Sequence, residues 1–533
     1  MKVIVTERIA DDGLDILRQN GYEVDAKFGI SREELLDIID EYDAIIVRSV
    51  TKINEELLSK ATNLKVVGRA GNGIDNIELP QCTKKGIIVV NTPESNIMAA
   101  AELAVGHTFA IFRNIPQADI GAKVKSDFRR NRFIGNELDG KVAGIIGLGR
   151  IGSIVASKLR GCNMKVCAYD PYITDEKYAK LGVEKCKSLE ELLKKADLIT
   201  LHTPKTAETY GMIGEKELSI CKDGVRIVNA ARGGLVNEKA LYDALVSGKV
   251  RAAAIDVFDK EPNYDKNPED QDYTNPLLTL DNVVVSPHLG ASTEEANYNV
   301  GVCVAKLVCD ALNGEIVAAV NMPPMKVKDL HEIKPYINLA EILGKIYYQT
   351  ESNTVDKIEV LYSGDLADME TSVFSLSVLK GFLSQMSPEK VNYVNAGMIV
   401  ESMGIKFIES KTSELDKYTN LITVTFVAGE KRLSVSGTVF AKEEIRIVDF
   451  YGYKLDFEPT ENVIAIQNVD KPGIIGKIGT TLGENNINIS AMQWGARKDK
   501  AISFLSVDSE ISKEIADQLR NIDGVLKVST VKF

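Results

Sequence analysis

The chain has 533 residues, 44% of them hydrophobic, which is enough for about three or four globular domains. Its 64 Lys and Arg residues face 76 Asp and Glu residues, and the net charge of −12 argues against nucleic acid or an anionic membrane as the main partner. No apolar run approaches the roughly 18–20 residues that span a bilayer, Lys2 comes too early for a signal peptide, and the cysteines form no C-x-x-C pair. We therefore expect a soluble, cytoplasmic protein with no metal and no disulfide framework.

The first hundred residues alternate short β-branched runs with helical patterns. The apolar runs predict strands at 2–5, 44–47, 65–67 and 87–90, with a helix at 14–20 and a longer one beginning near Asn96. Strands separated by helices are typical of a parallel, doubly wound sheet. The sequence therefore predicts an α/β fold for this part of the chain.

A second and clearer series of apolar runs begins at Lys141. It predicts six strands that are buried on both faces, at 142–146, 165–169, 198–201, 226–229, 252–256 and 283–286. Helical patterns fit between most of them. This part of the chain is therefore predicted to be a Rossmann domain, a second doubly wound parallel sheet.

The pattern changes after about Val317. The run Asn321-Met322-Pro323-Pro324-Met325 predicts a linker, and alternating segments at 432–439 and 445–449 predict strands in the middle region. The last part of the chain predicts a strand, a helix, two strands, a helix and a strand, at 463–467, 474–485, 487–491, 502–507, 511–520 and 526–531. That order is typical of a ferredoxin-like βαββαβ domain.

The sequence Gly147-Leu148-Gly149-Arg150-Ile151-Gly152 fits the pattern G-x-G-x-x-G and follows the predicted strand 142–146. Glycines in this position let the backbone approach a pyrophosphate, whose charge is favoured by the N-terminus of the following helix. Asp170 ends the next strand, 18 residues after Gly152 (170 − 152), where a carboxylate binds the ribose diol and repels a 2′-phosphate. Asp170 also suits a plain turn before Pro171, but the whole pattern predicts NAD rather than NADP.

Three residues with suitable chemistry follow later strands of the second sheet: Arg232, Glu261 and His288. Ligands of open α/β sheets bind outside the carboxyl ends of the strands, so all three are expected at one edge. Taken alone, each residue also has an ordinary structural interpretation: Arg232 as a surface charge, Glu261 as a loop carboxylate and His288 as a structural histidine. Imidazole takes up a hydroxyl proton near neutral pH, a carboxylate stabilises the imidazolium, and arginine holds a carboxylate through two parallel hydrogen bonds. Together they predict hydride transfer between nicotinamide and a hydroxy acid.

The order of the glycine motif 147–152, Asp170, Arg232, Glu261-Pro262 and Pro287-His288 resembles the D-2-hydroxyacid dehydrogenase family. The resemblance implies that Arg232 binds the substrate carboxylate and carbonyl, that His288 is the acid/base and that Glu261 tunes His288. It also implies that further residues complete the cofactor site beside the nicotinamide and its ribose: Thr203, Pro204, Ala230, Asp256 and Gly290. Among these, Asp256 is the implied partner of the nicotinamide amide.

Segments 47–51, 67–73 and 287–293 are most similar to the branch of this family that oxidises 3-phospho-D-glycerate. The resemblance implies that four residues of the first domain contact the substrate: Arg48, Ser49, Arg69 and Gly71. The basic run 123–132 holds five cations against one carboxylate (5 − 1 = +4), which is usual for a solvated face but also suits a phosphate. By resemblance, Arg130 and Arg132 reach across from a partner subunit, which implies a homo-oligomer, either a dimer or a tetramer.

The loop Asn468-Val469-Asp470-Lys471-Pro472-Gly473 joins the first strand and helix of the predicted βαββαβ domain. It resembles the ligand loop of ACT regulatory domains, although Asp, Pro and Gly also favour a plain turn and helix cap. The resemblance implies that Asn468, Asp470 and Asn488 hold L-serine, as an effector, between paired subunits.

Four domains follow from these patterns and resemblances. They are a discontinuous, flavodoxin-like substrate-binding domain at 1–97 and 290–317, an NAD-binding Rossmann domain at 98–289, an α+β intervening regulatory domain at 318–456 and an ACT domain at 460–533. The implied function is NAD-dependent oxidation of 3-phospho-D-glycerate to 3-phosphooxypyruvate, the first step of phosphorylated L-serine biosynthesis, with feedback inhibition by serine. Two alternatives stay open: a reductase for hydroxypyruvate, glyoxylate or 2-oxoglutarate, and a non-catalytic NAD-sensing binding protein.

Overall fold

The computed structural model describes residues 1–262, 267–323, 330–386, 391–415, 417–441 and 443–533. These residues form four β-sheets, of which two are parallel, one is mixed and one is antiparallel. Within the described ranges, no helix is both long and apolar enough to cross a membrane. Pro324 and Met325 of the predicted linker lie outside the described residues.

The first sheet has five parallel strands in the flavodoxin-like order β2-β1-β3-β4-β5. The strands are β1 (Lys2–Val5), β2 (Glu23–Ala26), β3 (Ala44–Val47), β4 (Val66–Arg69) and β5 (Ile88–Asn91). The helices between them are α1 (Asp11–Gln19), α2 (Arg32–Ile38), α3 (Glu55–Lys60) and α4 (Leu79–Lys84). The sequence did not predict β2, because its residues Glu-Val-Asp-Ala include two carboxylates, form no apolar run and lie at the edge of the sheet.

The second sheet has seven parallel strands in the order β12-β11-β10-β9-β6-β7-β8, which contains the Rossmann strand order. The strands are β6 (Val142–Ile146), β7 (Lys165–Tyr169), β8 (Glu184–Lys185), β9 (Leu198–Leu201), β10 (Val225–Asn229), β11 (Val250–Ile255) and β12 (Val283–Val285). The helices are α5 (Ile97–Arg113), α6 (Ile115–Lys125), α7 (Arg150–Gly161), α8 (Asp175–Leu181), α9 (Leu189–Lys195), α10 (Glu215–Ile220) and α11 (Glu238–Val246). Strand β8 was not predicted, because two charged residues carry no apolar signal.

The chain returns to the first sheet after the second one. Helix α12 (Glu294–Leu312) buries Val300, Val304 and Val308 in the hydrophobic core of the first sheet. It approaches α1 so closely that a Cβ atom on Gly13 would lie 2.6 Å from the carbonyl oxygen of Gly301. The first and second sheets are therefore interleaved along the sequence, while the domain boundaries given above stay a prediction.

The third sheet is mixed and has the order β14-β13-β15-β16-β17-β18. Its strands are β13 (Lys357–Gly364), β14 (Lys406–Thr412), β15 (Asn420–Ala428), β16 (Lys431–Phe440), β17 (Glu444–Phe450) and β18 (Tyr453–Phe457). Helices α13 (Leu330–Thr350), α14 (Ser372–Ser384) and α15 (Ala396–Ser402) accompany it. Tyr347, Phe382 and Phe426 pack their rings together between the helices and the sheet.

The fourth sheet is antiparallel and has the ferredoxin-like order β20-β21-β19-β22. Its elements are β19 (Asn462–Val469), α16 (Ile474–Glu484), β20 (Ile489–Arg497), β21 (Lys500–Val507), α17 (Lys513–Arg520) and β22 (Val525–Lys532). Phe504 of this sheet lies 4.8 Å from the ring centre of Phe450 and 5.1 Å from that of Phe457, both in the third sheet. The third and fourth sheets thus share one hydrophobic core.

Candidate functional site

The predicted site residues lie where strands of the first two sheets end. Arg48 follows β3, Arg69 ends β4, and Arg232 and His288 come shortly after β10 and β12. Arg48 from the first sheet donates to Asn297 of α12 over 3.0 Å. Since parallel strands present their carboxyl ends at one edge, the two sheets bring these side chains to a shared cleft.

The glycine motif forms the tight turn between β6 and α7. Gly147 has φ +89°, and a Cβ atom on Gly152 would lie 2.0 Å from the carbonyl oxygen of Gly147. A Cβ atom on Gly149 would meet nothing within 4 Å, so the backbone there is open to a ligand. The turn therefore fits a pyrophosphate at the N-terminus of α7.

Asp170 lies directly after β7, beside the glycine turn. Its carboxylate accepts a hydrogen bond from the backbone N–H of Leu148 over 2.8 Å and another from Tyr172 over 3.0 Å. These bonds hold the carboxylate at the position where an adenine ribose is expected. Arg150, the variable residue of the motif, is ion-paired with Glu94 at 3.2 Å.

His288 lies close to the carboxylate predicted to tune it. Its Nδ1 atom is 3.0 Å from Oε1 of Glu261. The backbone of His288 has φ +55°, a strained conformation for a non-glycine residue, and its N–H donates to the carbonyl of Asp256 over 3.0 Å. With Nδ1 facing Glu261, the opposite ring atom Nε2 is the candidate that exchanges a proton with a substrate hydroxyl. Asn263 to Lys266, within the acidic stretch after Glu261, lie outside the described residues.

Asp256 is fully buried beneath the His288 loop. Its carboxylate accepts hydrogen bonds from the hydroxyl of Ser286 over 2.5 Å and from the backbone N–H groups of Leu289 and Gly290 over 2.7 and 3.0 Å. Ser286 in turn contacts Nε2 of His107 at 2.8 Å, and burial lowers the pKa of that histidine. This network fixes the backbone that carries His288. The nicotinamide-amide role of Asp256 stays a prediction.

Three arginines converge on the cleft. Burial, together with the charges of Arg232 and Arg48, lowers the pKa of Arg69 to about 10, while the charges of Glu7 and Asp75 act in the opposite direction. The Nε atom of Arg69 is buried and has no hydrogen-bond partner among the described residues. Three guanidinium groups close enough to affect one another, together with the unsatisfied Nε donor of Arg69, suit the binding of an anionic ligand.

Glycines leave room for these guanidinium groups. Gly71 has φ +143°, and a Cβ atom there would lie 1.6 Å from Nη1 of Arg69. A Cβ atom on Gly73 would lie 2.6 Å from Nη2 of Arg232. Arg232 also pairs with Asp75 through an Nε–Oδ2 distance of 3.6 Å. The cleft is therefore shaped around the two arginines.

The remaining cofactor candidates lie around the glycine turn and the His288 loop. A Cβ atom on Gly147 would lie 2.8 Å from Cγ2 of Thr203, which Pro204 follows. A Cβ atom on Gly290 would lie 3.9 Å from the carbonyl oxygen of Ala230. The structure thus brings these residues to one edge of the second sheet, and their contacts with NAD stay a prediction.

Arg130 and Arg132 lie on an exposed 3₁₀ turn after α6. Asp127 holds this turn, because it accepts hydrogen bonds from Arg129 over 2.8 Å and from Arg132 over 2.6 Å. That Arg130 and Arg132 contact the substrate of a partner subunit remains a prediction.

In the fourth sheet, Asn468 is the next-to-last residue of β19 and is fully buried, and its Oδ1 atom has no hydrogen-bond partner among the described residues. Asp470 is exposed, and the backbone N–H of Asn488 donates to Asp508 over 3.2 Å. That Asn468, Asp470 and Asn488 bind serine remains a prediction.

The sequence did not single out Glu7, Asn76, His107 or Ser286, although all four lie in the networks around the cleft. Glu7 follows the end of β1, so a search at the ends of the early strands would have found it. Nothing in the sequence distinguishes His107 from a histidine packed in a helix.

Three family models match separate parts of the chain. The model for the NAD-binding domain of D-isomer-specific 2-hydroxyacid dehydrogenases matches residues 105–290. The D-3-phosphoglycerate dehydrogenase intervening-domain model matches residues 332–451, and the ACT-domain model matches residues 462–524. A D-lactate dehydrogenase from Aquifex aeolicus, solved with NAD and lactic acid, aligns with a TM-score of 0.51 and 30% identity, covering 59% of this chain and 96% of that one.

This fold and these matches define an NAD-dependent D-2-hydroxyacid dehydrogenase. The D-3-phosphoglycerate dehydrogenase of Methanocaldococcus jannaschii is 41% identical, with 100% of both chains covered. That of Bacillus subtilis is 39% identical, with 99% of both chains covered. The chain belongs to the D-3-phosphoglycerate dehydrogenase family.

Proposed function

We propose that the protein oxidises 3-phospho-D-glycerate to 3-phosphooxypyruvate with NAD, the first step of phosphorylated L-serine biosynthesis. The observation that carries this proposal is the convergence of Arg48, Arg69 and Arg232 beside the paired His288 and Glu261. A substrate with a carboxylate at one end and a phosphate at the other matches a cleft with several guanidinium groups. The names of the full-length relatives support the same substrate.

Each end of the substrate has its own partners in this proposal. Arg232 holds the carboxylate and polarises the carbonyl that forms at C2. His288 takes the C2 hydroxyl proton on Nε2, and Glu261 stabilises the resulting imidazolium through Nδ1. Arg48 and Arg69 bind towards the phosphate end. When bound, NAD accepts the hydride from C2.

We further propose that the protein acts as a homodimer or larger homo-oligomer. Five apolar side chains on α6 and the segments beside it are exposed: Ile115, Ile120, Val124, Phe128 and Ile134. Val124 and Phe128 are 76% and 78% exposed, values that are unusual for large apolar residues on a free surface. Arg130 and Arg132 lie on the same segment, so a second copy covering this surface would receive both arginines.

The substrate proposal predicts different outcomes for two acids. In the double variant Arg130→Ala/Arg132→Ala, KM for 3-phospho-D-glycerate should rise by about 10- to 100-fold, because charge-assisted hydrogen bonds to the phosphate are lost. Turnover of D-glycerate, which has no phosphate, should not change. NADH absorbance in initial-rate assays measures both. A wild-type enzyme that turns over hydroxypyruvate or glyoxylate well and 3-phospho-D-glycerate poorly would favour the reductase alternative.

Mixing subunits tests whether the arginines act across the interface. A hybrid of the His288→Ala subunit with the Arg130→Ala/Arg132→Ala subunit contains one intact site if the arginines come from the partner. Mixing should then restore turnover at the wild-type KM. No restoration in a sample shown to contain hybrids would contradict the cross-subunit assignment.

We also propose that L-serine binds the fourth sheet and inhibits the enzyme. Deleting this sheet is a poor test, because it would remove Phe504, which is 1% exposed, from the core it shares with the third sheet. The exposed Asp470 can be changed without that damage. Asp470→Ala should raise the serine concentration for half-inhibition by about tenfold or more, through loss of a charged hydrogen bond, with kcat unchanged. The control is Asp517→Ala, because Asp517 is an exposed carboxylate on α17. Equal serine sensitivity of the Asp470→Ala and Asp517→Ala variants would contradict the assignment.

A further inference from the structure

Glu7 binds the backbone of the loop that carries two predicted substrate contacts. Oε1 of Glu7 accepts hydrogen bonds from the N–H groups of Arg48 and Thr51 over 2.9 and 3.0 Å. Oε2 accepts from the N–H groups of Ser49 and Val50 over 3.0 and 3.1 Å. Four consecutive backbone donors thus surround one carboxylate, which is the geometry of a backbone anion nest.

The same loop is also held by its carbonyl groups. The side-chain amide of Asn76 donates to the carbonyl oxygen of Arg48 over 3.0 Å and to that of Thr51 over 2.6 Å. The hydroxyl groups of Thr6 and Thr51 lie 2.8 Å apart. Glu7 follows β1 and Asn76 comes after β4, the two strands that flank β3, so residues from both neighbours of β3 hold the loop that follows it.

The loop conformation decides where two substrate contacts point. Arg48 and Ser49 are the first two residues after β3, and Arg48 reaches Asn297 on α12 over 3.0 Å. Four N–H groups without an acceptor would either turn to water or seek another anion, and in both cases the loop would change its conformation. Glu7 also offsets the repulsion among the arginines, because its charge acts on Arg69 against those of Arg232 and Arg48.

We propose that Glu7 is a positioning residue that sets the substrate affinity of the cleft by filling the nest at residues 48–51. It contacts neither the C2 hydroxyl nor the nicotinamide in this account, and it acts through the backbone of Arg48 and Ser49. This inference rests on the proposed function, since it concerns how the phosphorylated acid is bound. Loss of Glu7 therefore weakens substrate binding and leaves the chemical step intact.

The test is chemical rescue of the Glu7→Ala variant by small carboxylates. We expect Glu7→Ala to raise KM for 3-phospho-D-glycerate by about 10- to 100-fold, from the loss of several charge-assisted hydrogen bonds. The values of kcat and of KM for NAD should stay within about twofold. Acetate or formate should lower the raised KM, because a free carboxylate refills the nest, and chloride at equal ionic strength should not.

Glu7→Gln, Glu33→Ala and the wild type complete the comparison. Glu7→Gln keeps the size of the side chain but presents an NH₂ group to two N–H donors, so its KM should also rise. Glu33 is an exposed carboxylate in the first turn of α2, so the Glu33→Ala variant should have the KM of the wild type and show no response to acetate. If Glu7→Ala does not fold, Glu7→Gln carries the test through its KM and kcat.

Two results would overturn the proposal. One is a fall in kcat with an unchanged substrate KM, and the other is a raised KM that no carboxylate lowers in a folded variant. Failure of the proposed function would look different, because the wild type itself would then not oxidise 3-phospho-D-glycerate.

Discussion

Replacing His288 by alanine is expected to lower kcat by about 10²- to 10⁴-fold, the usual contribution of a general acid or base. The reason is that His288 is the proposed acceptor of the hydroxyl proton, and Oε1 of Glu261, 3.0 Å from its Nδ1 atom, stabilises the imidazolium that forms. NAD binding should be unchanged, because the glycine turn and Asp170 lie on other loops of the second sheet. Initial rates from NADH absorbance and calorimetric titration of NAD measure the two effects separately.

Glu261→Gln is the matched variant for this prediction. It keeps the contact with His288 but removes the negative charge, so kcat should fall less than in His288→Ala, and the pH profile should shift because imidazolium is less stabilised. A His288→Ala enzyme that retains more than about a tenth of the wild-type kcat would show that imidazole is not the proton acceptor.

The second large effect is expected for Arg232→Lys. This change keeps the positive charge but removes the planar fork that binds a carboxylate through two parallel hydrogen bonds. We expect kcat/KM for the hydroxy acid to fall by about 10²- to 10³-fold, because both the carboxylate contact and the polarisation of the developing carbonyl are weakened. The affinity for NAD should be nearly unchanged.

Arg18→Lys is the control, because Arg18 is an exposed arginine of α1 paired with Asp15 at 2.9 Å. It should match the wild type in all three parameters, kcat, KM and the dissociation constant of NAD. Equal kcat/KM values for Arg232→Lys and Arg18→Lys would mean that Arg232 is a surface charge, the ordinary alternative for an arginine after a strand.

Much of the fold follows from hydrophobic pattern. Strands β6, β7 and β9 match the predicted ranges at both ends, because strands buried on both faces are continuous apolar runs. The ferredoxin-like order of the fourth sheet was likewise predicted and is confirmed. Edge strands β2 and β8 escaped prediction, since edge strands need no apolar run.

The site could be predicted only where chemistry and strand ends coincide. Arg232, Glu261 and His288 carry reactive groups next to recognisable strands, so the sequence alone indicated them. Glu7 lies near a strand end and could have been noticed by its position, but its role, like that of Ser286, depends on backbone N–H groups or on a buried carboxylate that only the folded chain brings to it. The left-handed backbone of His288 is equally invisible in the sequence, since it lies in a loop whose hydrogen bonds to Asp256 form only in the folded chain.

The hydrophobic pattern of the sequence also could not predict that the third and fourth sheets share one core. Sequence reasoning separates domains where the pattern changes, and the predicted boundary between the intervening and ACT domains falls between residues 456 and 460. Phe450, Phe457 and Phe504 nevertheless pack against one another across that point. Contacts between domains depend on which sheet faces meet, and periodicity within one strand does not specify this.

The most direct test of the central claim is a crystal structure of the enzyme with NADH and 3-phospho-D-glycerate bound together. The account predicts Nε2 of His288 at about 2.6–3.2 Å from the C2 hydroxyl, the range for proton transfer. It also predicts both terminal nitrogens of Arg232 on the carboxylate and the phosphate towards Arg48 and Arg69. A substrate whose phosphate lies on Arg232, with its C2 hydroxyl out of reach of His288, would contradict it.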